Sequence, residues 1–295
     1  MRYQSPLRYP GGKASFAGLL EDILDLNDLR GASYYEPFAG GAGAALELLH
    51  RGAVKSVYLN DLDARVFAFW RAAINQTNQM IDRIMSVPLN IEEWTKQRLI
   101  CLSPSKHAQI EVGFAAFYLN RCNRSGVLTG AGPIGGLSQS GKWRLDVRFY
   151  RAELAARLAA IGRNRDRIFV SRLDAIDFLT AILPKGGDRK SSFVYLDPPY
   201  VVKGQRLYLN AYDASDHARL ARYVCKQQTL PWLMSYDDTP MIRQLYATKA
   251  LSSLRIDYKL QSKRSADELV IAPNSLIIPT MCRIGGEDRK LMKIA

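Results

Sequence analysis

Four cysteines and three histidines are all that this 295-residue chain offers of the commonest transition-metal ligands. Cys101, Cys122, Cys225 and Cys282 stand far apart and form no CxxC pair, which argues against a zinc ribbon or a disulfide framework. His50, His107 and His217 fit no HExxH spacing. No metal is therefore expected, and the thiols read as buried groups in a reducing cytoplasm. Every apolar run falls well short of the ~20 residues that span a bilayer, so no membrane segment is expected. Met1 to Pro6 lacks the apolar core of a signal peptide. Gly11-Gly12-Lys13 lacks Walker spacing, which excludes a P-loop. Acidic residues are also scarce. Asp and Glu number 28 against 41 Lys and Arg, a formal charge of +13. Such a surplus favours polyanions, nucleic acid before anionic membrane, although a basic surface without a partner gives the same balance.

What is present has an α/β rhythm with an interruption. Ser33 to Phe38, Ser56 to Asn60, Arg167 to Ser171, Ser192 to Leu196 and Trp232 to Ser235 read as strands. Gly41 to Arg51, Asp174 to Leu183 and Asp213 to Gln227 have helical composition between them. Leu254 to Leu260 and Glu268 to Ile271 read as a closing strand pair. Alternation of this kind predicts a mostly parallel sheet covered on both faces. From Leu62 to about Asn123 the chain is helix-rich, and from Arg124 to Arg144 it is a long glycine-dense loop. Loops of that length are usually functional or disordered. Residues 62–165 are expected to form an inserted module, with 1–61 and 166–295 making the main domain.

Three motifs sit at strand ends. Glu36-Pro37-Phe38-Ala39-Gly40-Gly41-Ala42-Gly43 joins a strand to a helix, where glycines let the backbone approach a ligand. Leu46 stands where a strict GxGxxG needs its third glycine, so the turn could serve NAD, FAD or S-adenosylmethionine, or be a tight turn alone. Asn60-Asp61 ends the next strand, where a carboxylate can bind both ribose hydroxyls of an adenosine cofactor or can cap a helix. Asp197-Pro198-Pro199-Tyr200 follows a buried strand. Its prolines fix the backbone and donate no N–H, leaving acceptors for a ligand that donates, such as the exocyclic amine of adenine. Tyr200 offers a ring for the base. The bland reading is an Asp-Pro turn at a strand end.

Taken in order, these motifs resemble the Dam-type D12 class of DNA adenine-N6 methyltransferases over nearly the whole chain. Leu7 to Lys13 resembles the family's (W/Y)xGGK motif, Glu36 to Gly43 its EPFxGxG motif, Asn60-Asp61 its ribose motif and Asp197 to Tyr200 its DPPY. Lys263 to Leu269 resembles its late KRxxxEL element. The resemblance implies a Rossmann-like, S-adenosylmethionine-dependent mixed sheet with an inserted, mainly helical target-recognition module. It implies that Asp197, Pro198 and Tyr200 carry catalysis. Tyr9, Lys13, Phe38, Gly40, Asp61, Asp174 and Asp197 would then bind S-adenosylmethionine.

Tyr118-Leu119-Asn120-Arg121 resembles the family's YLNR segment, but the NGLxR…FN pattern expected after it is missing. A target other than GATC is therefore expected. Asn120, Arg121, Arg124, Lys142, Arg144, Lys203 and Arg206 are the candidates for gripping or reading double-stranded DNA. The resemblance implies a cytoplasmic, nucleoid-associated protein of a bacterium or phage, with room for a cognate restriction or defence system. An RNA or protein N-methyltransferase, an NAD-dependent oxidoreductase and a DNA-binding homologue without catalysis remain open at this point. The sequence gives no oligomeric state.

Overall fold

Short runs of Tyr, Val, Phe, Leu and Trp make strands here because both faces of the sheet are covered and each residue finds apolar neighbours. A computed structural model describes residues 5–8, 12–201, 212–259 and 263–294, with side chains at 256–259 and 263–266 outside that description. The first half contains α1 (Ala17–Leu26), β1 (Ser33–Glu36), α2 (Gly43–His50), β2 (Ser56–Asn60), α3 (Ala64–Asn75), α4 (Thr77–Ser86), α5 (Ile91–Leu102) and α6 (Gln109–Cys122). There follow α7 (Arg151–Arg163), β3 (Ile168–Ser171), α8 (Ala175–Ile182), β4 (Ser192–Leu196), α9 (Ala214–Cys225), β5 (Trp232–Asp237) and α10 (Pro240–Leu245). The chain closes with β6 (Ala250–Lys259), β7 (Lys263–Ala272), β8 (Met281–Ile284) and β9 (Glu287–Lys293). Side-chain oxygens of Asp63, Asn90, Asp174, Asp213 and Thr239 cap α3, α5, α8, α9 and α10.

The strands join in one nine-stranded sheet, in the order β3-β2-β1-β4-β5-β7-β6-β9-β8. The first five are parallel, and β7, β6, β9 and β8 add antiparallel. The expected mixed α/β sheet is thus present. β6 and β7 are longer than the sequence pattern suggests, and the β8–β9 hairpin was not anticipated.

Alternation along β1 puts Tyr34 in one apolar cluster and Tyr35 in another, one on each face. α8, α9 and α10 supply the second cluster, while α1, α2 and the helices of 62–165 supply the first. The Trp70 indole of α3 donates to the Gly40 carbonyl at 2.9 Å, so that helical stretch packs directly on the turn after β1.

β1 pairs with both β2 and β4 in parallel. The chain therefore moves outward from β1 in one direction and from β4 in the other. Open α/β sheets bind ligands at such a switch point, beyond the carboxyl ends of the strands. Glu36 and Asp197 leave neighbouring strands there.

Candidate active site

β4 is buried along its whole length and ends at Leu196, so Asp197 emerges from the sheet with its direction fixed. Its Oδ1 accepts from the Ser235 hydroxyl at 2.9 Å, and Ser235 is in turn 2.8 Å from the Tyr195 hydroxyl. The Val201 N–H donates to Asp237 at 3.0 Å, tying the end of the Asp-Pro-Pro-Tyr motif to β5.

Lys13 meets this motif from the other end of the chain. Its ammonium donates to both oxygens of Glu268 at 2.9 Å and to the Tyr200 hydroxyl at 2.6 Å, and lies 3.5 Å from Asp197 Oδ1. It also stands 5.0 Å from the centroids of the Phe16 and Tyr200 rings. Lys13 is 5% exposed and Glu268 1%, whereas the Asp197 side chain keeps 21%. The carboxylate facing outward is therefore Asp197. Burial lifts its pKa to about 6; Lys13 opposes that lift and Glu268 adds to it. Glu36 lies buried beside Asp197, and burial and then Asp197 push its pKa well above the usual range. Its Oε2 has no hydrogen-bond partner among the described residues.

The cofactor half begins at the turn after β1. Gly40 adopts φ of 45°, a left-handed conformation that glycine takes without strain. Its N–H donates to Asp61 Oδ2 at 2.9 Å, while Asp61 Oδ1 accepts from the Asp63 N–H at 2.9 Å. The helix-cap alternative for Asp61 falls away, because Asp63 caps α3. Burial, then Asp63, raises the pKa of Asp61 to about 7. Among the described residues each Asp61 oxygen accepts one backbone N–H, and a carboxylate oxygen can accept a second bond. Such a desolvated acceptor beside a glycine turn fits a ribose with two hydroxyls. Phe38 meets Tyr212 edge-on at 5.7 Å, an apolar surface suited to an adenine ring. Asp174 caps α8 and pairs with Arg219 at 2.9 Å.

We expect Asp61→Ala to weaken S-adenosylmethionine binding tenfold or more, at about 1.4 kcal/mol per decade, since two charge-assisted bonds are lost. Binding to the unaltered chain should weaken as pH falls through about 7, where the folded carboxyl takes up a proton. Calorimetry showing unchanged affinity would leave Asp61 only its hold on Gly40 and Asp63.

The DNA candidates separate. Arg124, Lys142 and Arg144 are exposed, with Lys142 5.7 Å from the centroid of the exposed Trp143 ring. Asn120 and Arg121 are buried, at 2% and 6%. The Asn120 amide accepts from the Arg8 N–H at 2.7 Å and donates to the carbonyls of Arg8 and Gly126 at 2.7 and 2.9 Å. In this conformation its polar atoms are engaged inside the protein rather than offered to a base edge. Arg121 Nε donates to the Arg148 carbonyl at 3.0 Å. Tyr9, Lys203 and Arg206 lie outside the described residues. Glu268, Ser235 and Glu36 had no assigned role in the sequence reading, although Glu36 and Glu268 stand inside the motifs quoted there. No cluster of metal-ligating side chains occurs among the described residues. No helix among them is long and apolar enough to cross a membrane.

Comparison with known proteins adds three findings. The family model described as D12 class N6 adenine-specific DNA methyltransferase matches residues 9–260. A type II methyltransferase, M.CviBI of Paramecium bursaria Chlorella virus NC1A, is 24% identical over 272 residues, covering 89% of this chain and 95% of the relative. A solved structure titled as a conserved hypothetical protein of Streptococcus pyogenes aligns with a TM-score of 0.35 at 11% identity, covering 84% of this chain and 89% of that one.

Proposed function

The chain belongs to the D12 class of N6 adenine-specific DNA methyltransferases, and from that premise we propose how its residues carry the reaction. It methylates adenine N6 in DNA at specific sites, with S-adenosylmethionine as donor. The observation that carries the assignment of roles is the meeting of Lys13, Asp197, Tyr200 and Glu268 at the switch point. S-adenosylmethionine supplies an electrophilic methyl group on a sulfonium, a good leaving group. Asp61, Gly40 and Phe38 hold it from the β1–β2 side, with Asp174 beside them.

Adenine's amino lone pair is delocalised into its ring, which makes it a poor nucleophile. Asp197 and the Pro198 carbonyl each accept one N6 hydrogen and draw the nitrogen toward sp3 geometry. The lone pair would then face the methyl group that bound S-adenosylmethionine supplies, and a C–N bond would form as the C–S bond breaks with its electron pair left on sulfur. Alignment supplies much of the acceleration. With its pKa lifted to about 6, Asp197 is charged at neutral pH and is a better proton acceptor than an ordinary carboxylate. It can take the proton that N6 sheds. Tyr200 stacks on the base, which must first be flipped from the duplex at a cost of a few kcal/mol.

Residues 62–165 serve target recognition in this reading, with Arg124, Lys142 and Arg144 on the glycine-rich loop as base or phosphate contacts and Lys203 and Arg206 as further grips. A site other than GATC is expected. Work beside the nucleoid, with or without a cognate restriction system, fits the relative's type II description. Incubation of duplex DNA with labelled S-adenosylmethionine, followed by nucleoside analysis, tests the assignment. Labelled N6-methyladenine in one sequence context is expected. Label appearing in RNA or protein instead would overturn it.

A further inference from the structure

Arg8, Arg121, Arg148 and Arg157 converge where the N-terminal segment meets α6, the end of the glycine-rich loop and α7. The hydrogen bonds fix that convergence. Asn120 pins both the N–H and the carbonyl of Arg8 at 2.7 Å. Gly126 closes over the same residue so tightly that a Cβ there would lie 2.3 Å from the Arg8 carbonyl oxygen. Arg121 Nε is held by the Arg148 carbonyl at 3.0 Å, and Arg157 Nη1 by the Ser5 carbonyl at 2.7 Å. Backbone carbonyls thus hold the guanidiniums of Arg121 and Arg157, and the main chain of Arg8 and Arg148 is fixed beside them.

Counter-charge is sparse among the described residues. Among the described residues, the one carboxylate within ion-pair distance of the four is Glu153, and it pairs with Arg157. The guanidiniums depress one another. Burial and then Arg148 lower the pKa of Arg8, while burial, Arg157 and Arg8 bring that of Arg121 down to about 10. Holding like charges together costs folding free energy, and Glu153 offsets only part of it. An anion from outside would offset more. Guanidiniums match phosphate oxygens in shape and charge.

Building on the methyltransferase reading above, we propose that Arg8, Arg121 and Arg148 form a phosphate-binding site that grips the DNA backbone. Arg8 lies five residues before Lys13, so the same segment would carry the backbone grip and the active-site ammonium. Asn120 acts here as a positioning residue: it holds Arg8 in place for the phosphate.

Arg8→Gln, Arg148→Gln and the double variant test this, because both side chains keep contact with solvent. Duplex affinity is measured across salt concentrations, and thermal unfolding is followed in parallel. Each lost contact should reduce the slope of log affinity on log salt by about 0.9, roughly 3.5-fold less salt sensitivity between about 50 and 200 mM. Binding should weaken alike for duplexes with and without the target, and S-adenosylmethionine affinity should hold. Melting temperature should stay level or rise as repulsion is relieved. An unchanged salt slope in the double variant overturns the proposal. A fall in melting temperature with unchanged DNA affinity overturns it too, by assigning the cluster to folding. Methyl transfer is measured on the unaltered chain, so failure of this site and failure of the methyltransferase reading appear in different experiments.

Discussion

Replacing Asp197 by Ala should reduce methyl transfer by about 10²–10³-fold or more while duplex binding persists. The magnitude is that of removing a preorganised electrostatic contact at the reacting atom. Ser235, Tyr195 and the buried β4 strand hold the carboxylate in place, so alanine removes the acceptor and leaves the strand end intact. The unaltered chain should also show an acid limb. Asp197 is raised to about 6, so below that pH the folded carboxyl is protonated and its acceptor charge is gone. Turnover should fall tenfold per unit as pH drops further. Asp197→Asn keeps one acceptor, retains a trace of activity and has no carboxyl to titrate. Its pH profile should be flat near 6. Substantial activity in well-folded Asp197→Ala protein would sink the acceptor role, and an acid limb surviving in Asp197→Asn would move that titration to another group.

Much of the catalytic sheet was legible because its strands are runs of aromatic and β-branched residues that end on glycine, Asn-Asp or Asp-Pro-Pro. Those endings are chemistry as well as punctuation. They mark where backbone leaves the sheet at the switch point, and so they mark the candidate site. The β8–β9 hairpin escaped because β9 is mostly charged, and Leu291 alone in it is buried. The Gly285-Gly286 turn signals it, but the alternation in β8 runs for only four residues. Asn120 was misleading for a different reason. α6 is buried along nearly its whole length from Val112 to Cys122, so it shows no polar face on which to place a polar residue. A polar side chain there reads as a contact waiting for DNA. In the fold it satisfies the backbone of a segment 112 positions earlier. The Lys13–Glu268 pair spans 255 positions. Local pattern cannot give such a pairing, although Glu268 stood inside a recognisable motif. Motifs named the candidate residues, and tertiary structure gave their partners.

Lys13→Met should be the most destabilising of these substitutions, by about 3–5 kcal/mol near neutral pH, because it leaves a buried carboxylate without its cation. Lys13 and Glu268 are almost fully buried and bonded at 2.9 Å, so solvent screens little of the loss. Glu268→Gln should be milder, since Lys13 then keeps Asp197 at 3.5 Å and Tyr200 at 2.6 Å. The double variant Lys13→Met/Glu268→Gln should recover much of what Lys13→Met loses, as neither charge is then orphaned. Lys13 is the chief influence holding the Asp197 pKa down, so its removal moves that pKa above about 6. A carboxyl whose folded pKa is raised binds its proton more readily in the folded chain. Its ionisation therefore costs stability as pH rises from the ordinary carboxylate range through the raised value. Below that range the cost disappears. Lys13→Met should accordingly lose more stability at pH 8 than at pH 5, relative to the unaltered chain. Any residual methyl transfer should have its acid limb at higher pH. Chemical denaturation at the two pH values decides the matter. A loss under about 1 kcal/mol at pH 8, or a double variant no better than Lys13→Met, would show that the ammonium does not hold these carboxylates together.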